Sequence, residues 1–454
     1  MTQRRRKEKQ KLVTKTKKSD QETVMKNIFI IFLFISSALF AQEPLRLQDA
    51  INIALKNSYD IQLAKNNVDI NTVYNSYGFA GGLPLITGTA NDNEQVTTLN
   101  QKLSNGTNTN RNGVAANSLT AGVTAGILLY NGMRVVTTKK RLDQLEQQSQ
   151  QLLNAQIQNT IALVMTQYYD VVRQQSYMRT IDTSVAVAAK RLEIVKAQQQ
   201  VGYANNADLY QSQLDLNALL QSKQAQQVII DQAKTDFLTS LNLKADSAII
   251  INDTIIADKN IILDSVLNNL SQNPEIIAAA QQVTINQFIE KETAAQRYPS
   301  LRFNTGFNYS RSQSAAGFTL LNQTYGPLVG LSLSVPIYNG NIYKKQQRAA
   351  EINTKNAEIQ KQSLEKDYAS NAVKNYQAYE SALQQLETQK QNYLLAQKLL
   401  DLVLQKFQLR NATIVNVKNA QETFENAGYL LVNLSFAAKS AEIELKRLSY
   451  RLDF

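Results

Sequence analysis

Two segments of this chain end alike and are followed alike. Ala125 to Gly132 reads Ala-Gly-Ile-Leu-Leu-Tyr-Asn-Gly, and Leu333 to Gly340 reads Leu-Ser-Val-Pro-Ile-Tyr-Asn-Gly. In each, an alternating apolar segment closes on Tyr-Asn-Gly and a long helical pattern begins at once. Glycine takes positive φ without steric cost and asparagine tolerates it. Each copy therefore predicts a strand-to-helix turn, one at Tyr130, Asn131 and Gly132, the other at Tyr338, Asn339 and Gly340. Asn131 and Asn339 lie 208 positions apart. A period that long implies an internal duplication into two large halves, not a solenoid of short repeats.

The segments before the turns have period two. Leu301, Phe303, Thr305, Phe307 and Tyr309 alternate with Arg302, Asn304, Gly306, Asn308 and Ser310, and Val329 to Ile337 alternate in the same way. Leu119 to Leu129 repeat the pattern in the first half, preceded by a less regular strand near Leu85 to Ala90. One apolar face and one small or polar face are the mark of half-buried strands. Asn-, Thr-, Gly- and Ser-rich stretches, Asn91 to Asn117 and Arg311 to Thr324, are expected as the loops joining each strand pair. Four strands are too few to close a barrel, and open edges invite other chains. Two readings follow: a sheet packed on its own helices, or a transmembrane barrel shared between chains, for which strands of about 9–11 residues suffice.

After each turn the helical pattern is very long: Arg134 to Val201 and Asn341 to Leu409. At about 1.5 Å per residue each reaches on the order of 100 Å. Both break, at Gly202-Tyr203-Ala204-Asn205-Asn206 and at Arg410-Asn411-Ala412-Thr413, and resume to about Leu243 and Leu452. Leu383, Leu386, Tyr393, Leu400, Leu404 and Phe407 follow a heptad spacing that Lys390 and Gln397 interrupt; Phe424 to Leu452 follow one without interruption. Such stripes predict antiparallel coiled-coil hairpins. Shorter amphipathic helices open the halves, one from Leu45 through Asn57 and on to Val73, the other from Val266 past Asn273.

Composition removes several chemistries. The chain has no Cys and no His, so triads and zinc sites built on them are excluded, and no paired-carboxylate motif suggests a hydrolase. No enzyme activity, metal or cofactor is expected. The net charge of +11 owes most to residues 1–41, with ten Lys/Arg against Glu8, Asp20 and Glu22, so no nucleic-acid partner is expected. Met25-Lys26-Asn27, the apolar run Ile28 to Phe40 and Ala41 have the layout of a secretory signal peptide, with translation expected to start at Met25. The run is too short for a membrane anchor, which takes about 20 apolar residues. The expected division is therefore 1–41 extension and signal peptide, 42–243 first repeat, 244–264 connector and 265–454 second repeat.

The opening Leu45-x-Leu47-x-x-Ala50-Ile51-x-x-Ala54-Leu55-x-Asn57, the two Tyr-Asn-Gly junctions, and Val201-Gly202-Tyr203-Ala204 through Leu209 with its diverged copy Phe407 to Val417 resemble the TolC family of outer-membrane efflux proteins. The resemblance covers essentially the whole mature chain. It implies an α+β membrane protein: a homotrimer with a twelve-stranded barrel in outer-membrane lipid, four strands per chain, on a long periplasmic helical barrel. It also implies a Gram-negative outer-membrane location and passive export, with a periplasmic adaptor and an inner-membrane pump as partners. Gly202, Tyr203, Ala204, Arg410 and Asn411 would form adaptor-docking tips. Asn416 and Asn419 occupy positions where family members carry aspartates at the entrance constriction, with Asp208 and Glu422 nearby. Phe407 and Ala412 occupy positions where members carry a tyrosine and an arginine that latch the entrance. A trimeric coiled-coil adhesin or scaffold is the rival; it accounts for the helices and leaves the duplicated strand pairs unexplained.

Overall fold

A computed structural model describes residues 44–452. The signal-peptide and translation-start expectations lie outside the described residues. In chain order the elements are α1 (Leu47–Asn57), α2 (Tyr59–Tyr74), β1 (Leu85–Lys102), β2 (Asn108–Tyr130), α3 (Arg134–Gln200), α4 (Asn206–Ser240), α5 (Leu263–Asn269), a 3-10 turn (Leu270–Gln272), α6 (Pro274–Ala295), β3 (Ser300–Ser314), β4 (Leu321–Ser334), α7 (Ile342–Gln408) and α8 (Ile414–Leu448). Residues 44–46 and 246–253 belong to a small unit of their own, in which the Leu45 N–H donates to the Ile250 carbonyl at 2.8 Å. The remainder is a second unit, described below.

The four strands form one antiparallel sheet in the order β1-β2-β3-β4, leaving β1 and β4 as its edges. They overrun the expected loops. β1 continues through Asn91 to Lys102 and β2 begins at Asn108, so only residues 103–107 turn, with Gly106 at φ 88°. β3 and β4 likewise shorten the second loop to residues 315–320. Polar residues in these stretches pair as strand because an exposed hairpin needs cross-strand hydrogen bonds, not an apolar face. β4 stops at Ser334, short of the expected Ile337: Pro336 offers no N–H, and β4 is an edge. β2 reaches Tyr130 because Leu301 of β3 pairs with it.

The register sets Phe303 beside Ile127 and Leu331, and Phe307 beside Val123 and Pro327. Every odd-numbered position of β3 therefore lies on one apolar face with these neighbours. Val123, Phe307, Val329, Leu331 and Leu333 are all exposed, the last three by about two-thirds or more. Among the described residues no helix packs across the sheet. The reading of a sheet covered by its own helices is therefore incorrect.

The opening helix is two helices. Ser58 interrupts it, and its Oγ accepts from the Ile61 N–H at 3.4 Å as the cap of α2. α1 buries Ala50, Ile51 and Ala54, whereas α2 buries only Ile61 and leaves Val73 exposed. In the second half Asn273 plays the capping part, accepting from the Glu275 N–H at 2.9 Å with Pro274 at the first helical position.

α3–α4 and α7–α8 are antiparallel hairpins, with α6 packed against α3 and α7. The stripe on α7 is continuous once one polar residue is admitted. Ala382, Leu386, Gln389, Tyr393, Ala396, Leu400, Val403 and Phe407 face inward, Leu383 and Leu404 pack beside them, and Lys390 and Gln397 lie outside on the exposed side. Gln389 is accepted there because its Nε2 donates to the Ala427 carbonyl of α8 at 2.9 Å.

The left-handed backbone positions recur at a spacing of 208: Gly132 and Gly340, Met133 and Asn341, Gly202 and Arg410, Asn242 and Tyr450. The returning helices end at Ser240 and Leu448, earlier than expected, because Asn242 and Tyr450 close them. Leu243 and Arg451 donate back to the carbonyls of Leu238 and Lys446 at 3.0 and 2.8 Å.

Candidate functional site

The two helix breaks share one construction. After α3, the Gly202 N–H donates to the Gln199 carbonyl at 3.0 Å and the Tyr203 N–H to the Gln198 carbonyl at 2.8 Å. After α7, Arg410 and Asn411 repeat this with Phe407 and Lys406 at 3.1 and 2.7 Å. Both are Schellman turns with a left-handed residue, φ 78° at Gly202 and 66° at Arg410. The following helices open on capping boxes. Asn205 Oδ1 accepts from the Asp208 N–H at 2.8 Å while Asp208 Oδ2 accepts from the Asn205 N–H at 3.4 Å. Thr413 and Asn416 do the same at 3.3 and 2.8 Å.

The turns meet in space. The Arg410 guanidinium lies over the Tyr203 ring, 3.7 Å from its centroid. Beneath them Phe407, Val417, Phe424 and Leu400 form a buried cluster that Ala204, Leu209 and Ala412 join at its margin. Phe407 and Ala412 thus act here as packing residues with no polar group to contribute. Tyr203, Arg410 and Asn411 are exposed, as are Asn416, Asn419 and Glu422. Asp208 and Asn416 each spend their side chain on a cap, and the Asn419 carbonyl accepts from Thr423 Oγ1 at 2.8 Å.

One group near the tips escaped sequence reasoning. Arg191 of α3 is fully buried, and its Nη2 donates to Asp215 Oδ2 of α4 at 2.7 Å. Gln211 Nε2 donates to Asp215 Oδ1 at 2.7 Å, and Lys418 Nζ of α8 lies 3.7 Å from the same oxygen. Burial holds the Arg191 pKa below its ordinary value, against the opposing charge of Asp215. Its signal was a lone arginine among Val187, Ala188, Leu192 and Val195, where the seam admits only a paired charge.

The Tyr-Asn-Gly junctions lie at the opposite ends of α3 and α7, so they share no site with the tips. Asn131 Oδ1 accepts from the Val135 N–H at 3.3 Å, and the Asn131 carbonyl from the Arg134 N–H at 3.4 Å. Gly132 admits no side chain: a Cβ there would sit 2.8 Å from the Ala295 carbonyl and from Tyr298 Cβ. Gly340 has the same φ and open space around it. Tyr338 is far more exposed than Tyr130.

Among the described residues no helix is long and apolar enough to cross a membrane. A sheet of four strands with bare faces, rooted in two long helical hairpins, is also the fold of solved outer-membrane channels. The Campylobacter jejuni CmeC outer membrane channel matches with a TM-score of 0.73 at 14% identity, over 90% of this chain and 87% of that one. The outer membrane protein VceC from Vibrio cholerae gives 0.73 at 16% identity, over 89% and 95%. Residues 267–449 match the family model described as outer membrane efflux protein. The outer membrane protein TolC of Escherichia coli (strain K12) is 26% identical over 144 residues, a match spanning 32% of this chain and 29% of that relative.

Proposed function

We propose that three copies of this chain close a twelve-stranded barrel in the outer membrane of a Gram-negative bacterium and a helical tube beneath it. The tube and barrel together form a passive exit duct for efflux or type I secretion. The observation that carries this reading is the sheet: an apolar face covered by nothing in its unit, a polar opposite face, and unpaired edges at β1 and β4. Exposed strand edges of this length are templates for pairing with another chain. The two hairpin turns β1–β2 and β3–β4 point outward from the cell in this reading, and the helix breaks form the periplasmic end. The recurrence of left-handed positions supports two structural repeats, 42–243 and 265–454, joined by 244–264.

At the periplasmic end Gly202, Tyr203, Ala204, Arg410 and Asn411 dock an adaptor that couples an inner-membrane pump. Asn416 and Asn419, with Asp208 and Glu422, line the entrance. Phe407 and Ala412 hold it by packing. Outer membranes extracted in mild detergent should yield a trimer whose mobility shifts on heating. A detergent-stable monomer retaining full strand content would overturn the reading.

A further inference from the structure

Across the four-stranded part of the sheet, the face opposite the apolar one carries hydroxyls, amides, glycines, a few aliphatic side chains and a single charge. That charge is Arg302, which pairs across the sheet with Leu128 of β2 and Ser332 of β4. The other charges in this region have the wrong parity. Asp92 and Glu94 lie on the apolar-face side of β1, where Asn117 Nδ2 donates to both at 2.7 and 2.8 Å. Arg311 shares the parity of Phe303. Arg111 and Lys102 lie past the bulge at Thr97/Leu99, in the part of the β1–β2 hairpin that runs beyond β3.

Arg302 is held open for use. Its Nη1 lies 3.6 Å from where a Cβ at Gly126 would stand, so glycine leaves room for the guanidinium to lie along β2. The side chain is exposed, and no carboxylate pairs with it among the described ion pairs. Asn304 and Asn308 extend over the same strand, 3.1 Å and 2.4 Å from the Cβ positions at Gly126 and Gly122, so the surroundings are neutral donors and acceptors.

We propose that Arg302 sets the charge preference of the duct, three guanidinium groups forming an uncompensated cationic ring inside the barrel and favouring anionic solutes. The inference rests on the barrel reading above. A low-dielectric lumen with one sign of charge focuses the field and raises the local concentration of the opposite sign. A guanidinium also offers paired N–H donors to carboxylate, sulfonate or phosphate groups of a passing solute.

The test is the reversal potential of the full trimer in planar bilayers under a potassium chloride gradient. Arg302→Gln is expected to lower the chloride-to-potassium permeability ratio about twofold or more, and Arg302→Glu to lower it further. The natural chain has no cysteine, so Arg302→Cys gives one addressable thiol. An impermeant anionic thiol reagent should shift that variant toward potassium, a cationic reagent applied to a separate, unmodified sample should shift it toward chloride, and Phe303→Cys should respond to neither. No current from the folded wild-type chain overturns the barrel reading and this inference with it. Current with one reversal potential across wild type, Arg302→Gln and Arg302→Glu overturns this inference alone. So does a response from Phe303→Cys in place of Arg302→Cys.

Discussion

The guanidinium of Arg410 lies 3.7 Å from the centre of the Tyr203 ring, so the turn closing one helical hairpin is stacked on the turn closing the other. Arg410 holds a left-handed backbone, which costs a non-glycine residue roughly 1–2 kcal/mol. Its counterpart Gly202 adopts the same conformation without that cost. A double-mutant cycle of Tyr203→Ala and Arg410→Ala should give a coupling of about 0.5–1 kcal/mol in chemical denaturation of the detergent-solubilised protein. Arg410→Gly should be less destabilising than Arg410→Ala, because it relieves the strain as it removes the stack. Additive effects at the two positions would dismiss the stack as a stabilising contact.

Arg191 and Asp215 make the second prediction. Removing the carboxylate leaves a fully buried guanidinium without its partner, so Asp215→Ala should cost roughly 3–5 kcal/mol. Arg191→Met combined with Asp215→Leu should recover most of that loss, since an apolar pair suits the seam. Thermal unfolding of the three proteins separates an unpaired charge from simple loss of packing.

The two junction glycines differ in what surrounds them. Gly132→Ala must accept both a left-handed alanine and a Cβ 2.8 Å from the Ala295 carbonyl, whereas Gly340→Ala meets only the first penalty. Gly340→Ala is expected to cost about 1 kcal/mol and Gly132→Ala clearly more. Equal losses of folded yield and melting temperature would refute the distinction.

The segment after residue 253 is fastened by charge. The Asp258 carboxyl is held below its ordinary pKa by the Asn260 N–H first and by Lys446 next; the Asp258 N–H donates to Glu442 Oε2 at 2.8 Å. Burial alone would lower the Lys446 pKa, but Glu442 and Asp258 outweigh it and raise the value. The stabilisation from Asp258 is present above its unfolded pKa and disappears as pH falls through the lower folded value. That from Lys446 is present below its unfolded pKa and disappears as pH rises through the higher folded value. Between about pH 5 and 9, exchange-rate-corrected amide protection of residues 256–262 should be constant, and it should fall outside that window. In Lys446→Met the acid-side loss should be smaller and should finish at a higher pH, because the folded-state pKa of Asp258 moves back toward its unfolded value.

Asn416 caps α8 as Asp208 caps α4, so Asn416→Asp should preserve the turn. With Asn419→Asp it adds two carboxylates per chain three residues apart, on one side of the helix. The unmodified channel is expected to resist block by trivalent cations from the helical end, and the double variant to be blocked. Strong block of the unmodified channel, unchanged by the two substitutions, would place the constriction elsewhere.

Local chemistry decided the features that local rules govern. Gly132 and Gly340 are legible as left-handed turns because only backbone sterics are at stake there, and the two long helices follow from uninterrupted pattern without proline. The outer halves of the strands were not legible: Asn91 to Lys102 carry loop composition, and only the partner strand β2 supplies the hydrogen bonds that extend them. Ser58 reads as one more residue in an amphipathic run until its hydroxyl is free to cap Ile61. Gln389 and Arg191 look like breaks in an apolar seam, because the Ala427 carbonyl and Asp215 that satisfy them come from neighbouring helices. Arg302 is one charge among many in the sequence and becomes singular only when register sends Asp92, Glu94 and Arg311 to the other face. Steric preference and periodicity act within a few residues of chain, whereas pairing register and buried-polar compensation depend on which strand or helix arrives opposite.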